Sequence, residues 1–376
     1  MRQPRYLLTS SPERSLGRLF TEHSVGTTLV VSSSRPEVLA IAERLAAGIS
    51  GRVIVHARAS SIDDLDAIAA LVRELARIRP DAVVSLGGGA VHDLMKTTMA
   101  AASTDGDVYA AASRFTPPSH WEFPRLTIRR PVFVTMPSTF SGSEANGNAG
   151  FRADGEKRIV SSDRLVPDAV VLDASMYRAS PPRLLVESIF NALNHAIEAA
   201  SSTRQGPLTP SAAVGGMMVF GEALRATPES WSDEQLVRLG ATSVLVATGQ
   251  SGASLGLAHA IPHVLGARYG VRHGLAHAIV APHVARFNQS ACADAHLALA
   301  TAFAPPTEGR GITPLADLLA DAVRLRLGSI SLGQAGVTVD DVGPIAADVA
   351  LEPGYHFNPR SIDDIASVRK LVEVML

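Results

Sequence analysis

Cysteine is all but missing from this chain of 376 residues, where Cys292 stands alone. One thiol excludes a disulfide framework and a thiolate metal cage, and it suits a reducing compartment. Lysine is nearly as scarce: Lys96, Lys157 and Lys370 are the only three among 34 basic residues. Charge of either sign is not in excess, since 36 acids leave a formal net charge of -2. With no basic block, the electrostatic footprint of a nucleic-acid binder is absent. No apolar run reaches the ~18–20 residues of a membrane span. The opening MRQPRYLLTSSPERSLGRLF lacks the basic-then-apolar order of a secretory signal. These absences point to a cytoplasmic, enzyme-sized protein with no nucleic-acid and no membrane partner.

What is present begins with an alternation. Apolar runs of strand length at 27–32, 52–56, 82–86, 131–136 and 169–172 are separated by amphipathic stretches at 36–45, 61–78 and 91–102. Serines at 33 and 34 with Pro36 read as the start of the first such helix, and SIDD from Ser61 as the start of the second. Strands apolar along their whole length predict a parallel sheet covered on both faces. After Asp173 the period becomes helical throughout. At roughly 100–200 residues per domain, the chain divides into an α/β domain over 1–175 and an all-α domain over 176–376. Residues 102–130 read as a surface excursion.

Two segments of the first half carry chemistry. In AVVSLGGGAVHDLMK a strand runs through Gly87, Gly88 and Gly89 into a helix, the arrangement that offers free backbone N–H groups and a helix dipole to a phosphate. A tight turn without a ligand would look the same, and the GxGxxG fingerprint is absent. Asp93 and Lys96 follow, three residues apart, where a solvated ion pair is the plain alternative. The second segment, Pro137-Ser138-Thr139-Phe140-Ser141-Gly142-Ser143-Glu144, sets hydroxyls at a strand end, fit for a diphosphate, for a nicotinamide amide or for an ordinary loop.

Histidine supplies the sharpest signal. Five of the twelve histidines lie between 259 and 283: His259, His263, His273, His277 and His283. Even spreading would put roughly one there. Spacing of four residues puts His259 with His263, and His273 with His277, on single helix faces. His195 lies in an earlier helix between Asn191 and Glu198. Such faces can converge on one cation or one reacting carbonyl.

In order along the chain, these segments resemble the iron-type (group III) alcohol dehydrogenases, whose fold is shared with glycerol dehydrogenase and dehydroquinate synthase. GGGAVHDLMK stands for that family's GGGS-x-x-D-x-x-K, NALNHAIEA for D-A-L-x-H-A-x-E-A, HAIPHVLGARYGVRHG for its H-x-x-x-H-x-x-G…HG block, and HFNPRSIDDI for its terminal NPR segment. Within the family, PSTFSGSE, the stretch GFRADGEKRIVSSDRLVPDAVVLD from Gly150 through Asp173, Asn191 and Ala276-His277-Ala278 look similar to maleylacetate reductases. His92-Asp93, where those reductases carry T-G, and the long segment before PSTF depart from them.

The resemblance implies a dehydroquinate-synthase-like, dinucleotide-binding first domain and a helical metal or substrate domain. It implies NADH or NADPH along Gly87, Gly88 and Gly89, with Ser32, Asp93, Lys96, Ser138, Thr139 and Ser143 around the rest of the cofactor. No acid follows the first strand, at Ser32-Ser33-Ser34, to repel the extra phosphate of NADPH, and Arg35 stands ready to assist it. Asn191, His195, His259 and His273 match the family's Fe or Zn ligands, but Asn191 replaces an aspartate, and a neutral amide weakens a divalent site. His263 is the expected proton donor, with His277 and His195 as further catalytic candidates. Arg152, Lys157, Arg268 and Arg272 are candidate cations for a dicarboxylate. The expected activity is hydride transfer to a small carbonyl or enone-acid in a homodimer. Its rivals are a metal-dependent alcohol or aldehyde dehydrogenase and a dehydroquinate-synthase-like lyase.

Overall fold

The computed structural model describes residues 3–58, 65–127, 130–305 and 311–376. The first half contains β1 (Arg5–Leu8), α1 (Pro12–Glu22), β2 (Thr27–Ser33), α2 (Pro36–Gly48), β3 (Arg52–Arg58), α3 (Leu65–Ile78), β4 (Ala82–Gly87) and α4 (Gly89–Ala101). It continues through α5 (Val108–Ala111), β5 (Arg114–Thr116), β6 (His120–Glu122), β7 (Val132–Pro137), β8 (Asn148–Ala153), β9 (Glu156–Ser161), β10 (Ala169–Leu172) and α6 (Ala174–Arg178). Six strands form one sheet in the order β1-β10-β7-β4-β2-β3, and every pairing in it is parallel.

Alternate residues of one strand serve two cores, as a sheet covered on both faces requires. Leu29, Val31, Val83 and Phe133 pack with Leu71, Leu94 and Met95 of α3 and α4. Their neighbours Val30, Val84 and Val134 pack with Leu16 of α1 and Val38 and Leu45 of α2 on the other side. The alternation therefore holds, with differences at the element ends. The first expected serine cap is not one: Arg35 is the N-cap of α2 and makes no side-chain cap bond. The SIDD start, residues 61–64, lies outside the described residues. The helix after the glycines begins at Gly89, two residues before the expected Val91, so the glycine turn is itself the helix start. Within 102–130, Asp107 caps α5, β5 pairs with β6, and the Pro117–Pro118 bond is cis.

From Pro182 the described residues are helical: α7 (Pro182–Ser201), α8 (Thr209–Ala223), α9 (Asp233–Gln250), α10 (Leu257–Tyr269), α11 (His273–Asn288), α12 (Ala293–Phe303), α13 (Leu315–Leu327), α14 (Val342–Val349), α15 (Pro353–His356) and α16 (Ile365–Glu373). Among the described residues no helix is long and apolar enough to cross a membrane. The chain divides into two compact units. One comprises Met1–Arg114, Trp121–Pro181 and Ser232–Val244; the other Phe115–His120, Pro182–Trp231 and Leu245–Leu376. In the second unit, Leu257, Ile261 and Leu265 of α10 and Ile279 and Val280 of α11 share a core with Ile345 and Val349 of α14 and Val368 of α16. That core fixes the two histidine-bearing helices against each other.

Candidate active site

In the sheet unit, the strand ends gather the glycine turn and the hydroxyl segment. Gly87 has φ +150, a value side chains avoid, and a Cβ on it would lie 2.7 Å from Val91 Cγ2. A Cβ on Gly88 would lie 3.2 Å from Thr139 Oγ1, and one on Gly89 2.9 Å from Ser141 Oγ. Glycine is thus what lets the turn lie against the hydroxyls. The N-terminus of α4 has no side-chain cap and no acid in its first turn, whereas Asp107, Asp173 and Asp364 cap α5, α6 and α16. Uncapped N–H groups at a glycine-lined helix start fit a phosphate.

Asp93 and Lys96 prove far from a solvated pair. The Lys96 ammonium is 3.5 Å from Asp93 Oδ1 with its side chain wholly buried. It donates to Ser143 O at 2.9 Å and Ser143 Oγ at 3.0 Å, and also to Asn148 O. Asp93 accepts from the Ser143 hydroxyl and from Gly150 N at 3.0 Å. The two residues tie α4 to the hydroxyl segment and β8. Ser32 is buried, with its hydroxyl on Ser33 O. Arg35 Nη2 donates to Ser138 Oγ and Nη1 to Ser180 Oγ, both at 2.9 Å. Burial lowers the pKa of this guanidinium, with Glu37 opposing.

In the helical unit the expected histidines come together. The His195 and His259 rings stack at 4.5 Å; His259 meets His277 at 4.6 Å, and His277 meets His273 at 4.4 Å. His263 lies 6.2 Å from His259 and 6.1 Å from His273. His283 lies further along α11, where burial and Arg286 lower its pKa. Asn191 is buried one turn before His195 on α7.

Hydrogen bonds fix several protons in this cluster. Asn194 Nδ2 donates to His277 O at 3.2 Å and meets His277 Nδ1 at 2.8 Å. A carbonyl only accepts, so the NH2 group faces His277 and Nδ1 accepts as well. The His277 proton is then on Nε2, which lies 3.1 Å from His273 Nε2. Burial, with the neighbouring imidazoles adding to it, pushes the His277 pKa well down, so the ring is neutral. Glu198, itself buried, takes Ala258 N at 2.7 Å on Oε1 and His259 Nδ1 at 2.5 Å on Oε2. His259 Nε2 is left buried with no hydrogen-bond partner.

A carboxylate behind one imidazole nitrogen with the other left open suits a cation. The rest of the set does not complete that fit. The His273 lone pair is used by His277, and Asn191 brings no charge. Among the described residues no group of three His, Cys, Asp or Glu is placed to hold a metal ion. Of the candidate cations, Arg268 pairs with Asp348 at 2.8 Å and Arg272 with the buried Glu187 at 2.5 Å. Arg152 and Lys157 lie on β8 and β9 of the sheet unit.

Three residues escaped the sequence reading: Asn194, Glu352, whose Oε2 lies 3.0 Å from His263 Nδ1, and Glu198, noticed but given no role. For Glu198 a signal existed, since Glu187, Asn191, His195 and Glu198 recur at helical spacing as a polar stripe along α7. Nothing local marks Glu352.

Residues 4–174 match the family model described as iron-containing alcohol dehydrogenase. Residues 185–373, half of the chain, match the one described as Fe-containing alcohol dehydrogenase family, C-terminal. The chain belongs to the iron-containing alcohol dehydrogenase family. It is 29% identical to a 1,3-propanediol dehydrogenase of Citrobacter freundii, over 74% of this chain and 72% of that one. To a maleylacetate reductase of Burkholderia cepacia it is 27% identical, over 93% and 90%. In structure it is similar to a maleylacetate reductase from Agrobacterium tumefaciens, with a TM-score of 0.80 at 23% identity, covering 100% of this chain and 97% of that one. As a member of this family the chain is an oxidoreductase. The family's enzymes act on small molecules and generally use a nicotinamide dinucleotide and a divalent metal.

Proposed function

We propose that this iron-containing alcohol dehydrogenase relative is an NAD(P)H-dependent reductase of a small carbonyl or enone-acid, of the maleylacetate reductase kind. Its histidine pocket would polarise the carbonyl by hydrogen bonds in place of a resident cation. The observation that carries this reading is the chain of bonds from Asn194 through His277 to His273, beside the neutral Asn191.

In this reading the uncapped start of α4 holds the cofactor diphosphate, with Gly87, Gly88, Gly89 and Thr139 shaping the approach. Asp93, Lys96 and Ser143 hold that wall in place. The nicotinamide, when bound, supplies a hydride to the carbonyl carbon. As the carbonyl oxygen takes up the displaced electron pair, His195 faces the growing negative charge and stabilises it as a preorganised polar group, and His259, whose hydrogen Glu198 holds on Nδ1, orients the His195 ring stacked on it. His263 gives the proton that neutralises the oxygen. His277, locked by Asn194, holds the His273 ring in place. Arg35, whose guanidinium hydrogen bonds go to hydroxyls, supports acceptance of NADPH as well as NADH.

A second reading is favoured by one observation, the open Nε2 of His259 backed by Glu198: a metal-dependent alcohol or aldehyde dehydrogenase. One assay separates the two. Chelator-treated protein is given NADH or NADPH with maleylacetate, before and after Zn²⁺ or Fe²⁺ is restored. Cofactor oxidation in the chelated sample is the expected result. Activity that appears only when metal returns would select the second reading, and oxidation of neither cofactor under any condition would refute the reductase.

A further inference from the structure

We infer that Glu352 is the positioning residue of the proton-donating histidine, His263. The inference rests on the reductase reading only for the role of His263; the pairing itself stands on geometry. His263 lies on the second turn of α10 and is nearly buried. Its Nδ1 is 3.0 Å from Glu352 Oε2. An ionised carboxylate only accepts, so Nδ1 carries a hydrogen of its own, and the proton given to a substrate oxygen is a second one, carried on Nε2 and replaced from water between turnovers.

Glu352 comes from a separate element, as the N-cap residue of α15, and that element is held from several sides. A Cβ on Gly354 would overlap the carbonyl of Gly256, so α15 lies directly against the start of α10. Asn358 and Asn288 exchange amide bonds of 3.0 and 2.8 Å, and Asn358 Oδ1 also accepts from Leu257 N at 3.3 Å. The Phe115 ring packs on His356 and Phe357 at 5.8 and 6.0 Å. The carboxylate is thus presented by a segment anchored to the very helix whose histidine it orients.

The two carboxylates that meet the histidines of α10 do different jobs. Glu198 is sealed, with 4% of its side chain exposed, and spends its second oxygen on the backbone. Glu352 keeps 20% of its side chain in contact with solvent, at the edge where a proton used in turnover is replaced from water. A carboxylate that only stapled α15 to α10 would leave the state of the imidazole indifferent; one that positions His263 keeps a hydrogen on Nδ1, so that the proton delivered is the one on Nε2.

The test compares the intact protein with Glu352→Ala, Glu352→Gln, His263→Gln and the Glu352→Ala/His263→Gln double variant. Expected is a fall in kcat of about 10–100-fold in Glu352→Ala, with cofactor affinity unchanged. Glu352→Gln, whose amide oxygen still accepts from Nδ1–H, recovers most of that loss, and added formate restores Glu352→Ala. In the His263→Gln background, Glu352→Ala costs nothing more. Independently of turnover, nitrogen-15 correlation spectra of the His263 ring show the Nδ1–H tautomer in the intact protein and lose its dominance in Glu352→Ala. A wild-type kcat in Glu352→Ala, or losses that multiply in the double variant and ignore formate, would overturn the inference. An Nε2–H tautomer in the intact protein would overturn it as well, even if no substrate were ever turned over. Failure of the reductase reading would appear elsewhere, as an inactive intact protein whose His263 ring still shows the Nδ1–H form.

Discussion

Replacing Glu198 tests whether the histidine cluster is held by fixed protons. In Glu198→Ala two buried donors, Ala258 N–H and His259 Nδ1–H, lose the acceptors they had at 2.7 and 2.5 Å. At about 1–3 kcal/mol for each orphaned donor, the fold should lose about 2–6 kcal/mol, read from urea unfolding. Glu198→Gln is the sharper probe. Its oxygen can keep the Ala258 N–H, but its NH2 then faces His259 Nδ1, and two donors cannot share that space. The ring answers by moving its proton to Nε2, the nitrogen otherwise left open. Stability should fall by only about 1–2 kcal/mol, whereas kcat should drop about 10²–10⁴-fold. The upper figure is the handicap seen when an amide replaces the carboxylate behind the histidine of a serine protease and fixes the wrong tautomer. Steady-state reduction and urea unfolding on the same preparations make the comparison. A Glu198→Gln protein that reduces substrate at the wild-type rate, or a Glu198→Ala protein as stable as the parent, would refute the reasoning.

Two further outcomes follow from burial and close packing. Burial first, resisted by the Ser141 hydroxyl and Lys96, raises Glu144 from 4.5 to about 7. The folded chain holds that proton where the unfolded chain has released it, so stability from this group is full below 4.5 and falls as pH rises to 7, by about 3 kcal/mol. Glu144→Gln should flatten the unfolding free energy over that range, and curves parallel to wild type would dispose of the claim. In α11, a Cβ on Gly274 would lie 2.9 Å from Glu187 Cβ and 3.0 Å from the Glu187 carbonyl carbon and oxygen. Gly274→Ala must therefore wedge α11 from α7, lowering stability by about 1–3 kcal/mol. Gly17→Ala, with nothing within 4 Å, should instead stabilise α1 slightly, and equal melting temperatures for the two variants would contradict the packing argument.

Most of the sheet was legible because its strands are buried on both faces and so are apolar at every position; Ala169–Leu172 is the plainest case. The strands that escaped are those without that signature. β1 is largely exposed, at the sheet edge, and β8–β9 is a hairpin whose second strand, EKRIVS, is mostly polar. The histidine cluster was visible because repeats of four place side chains on one helix face. What fixes the protons of that cluster was not. Asn194 acts through a neighbour 83 positions away and Glu352 through one 89 positions away, and no local period records a partner so distant. Lys96 taught the opposite lesson: a three-residue charge spacing suggests a surface pair, yet tertiary burial makes it an internal clamp.

The sheet unit is not closed by the first 181 residues. Ser232–Val244 returns to it after Pro182–Trp231 of the helical unit, and Gly240 lies so close under the Tyr177 hydroxyl that a Cβ there would overlap it, while Asp233 holds Arg178 at 3.0 Å. On the ribosome, the sheet unit must therefore wait, with Tyr177 uncovered, until the helical half is well under way. The two halves are bound to mature in one overlapping event, and neither can be cut out of the gene at a single point.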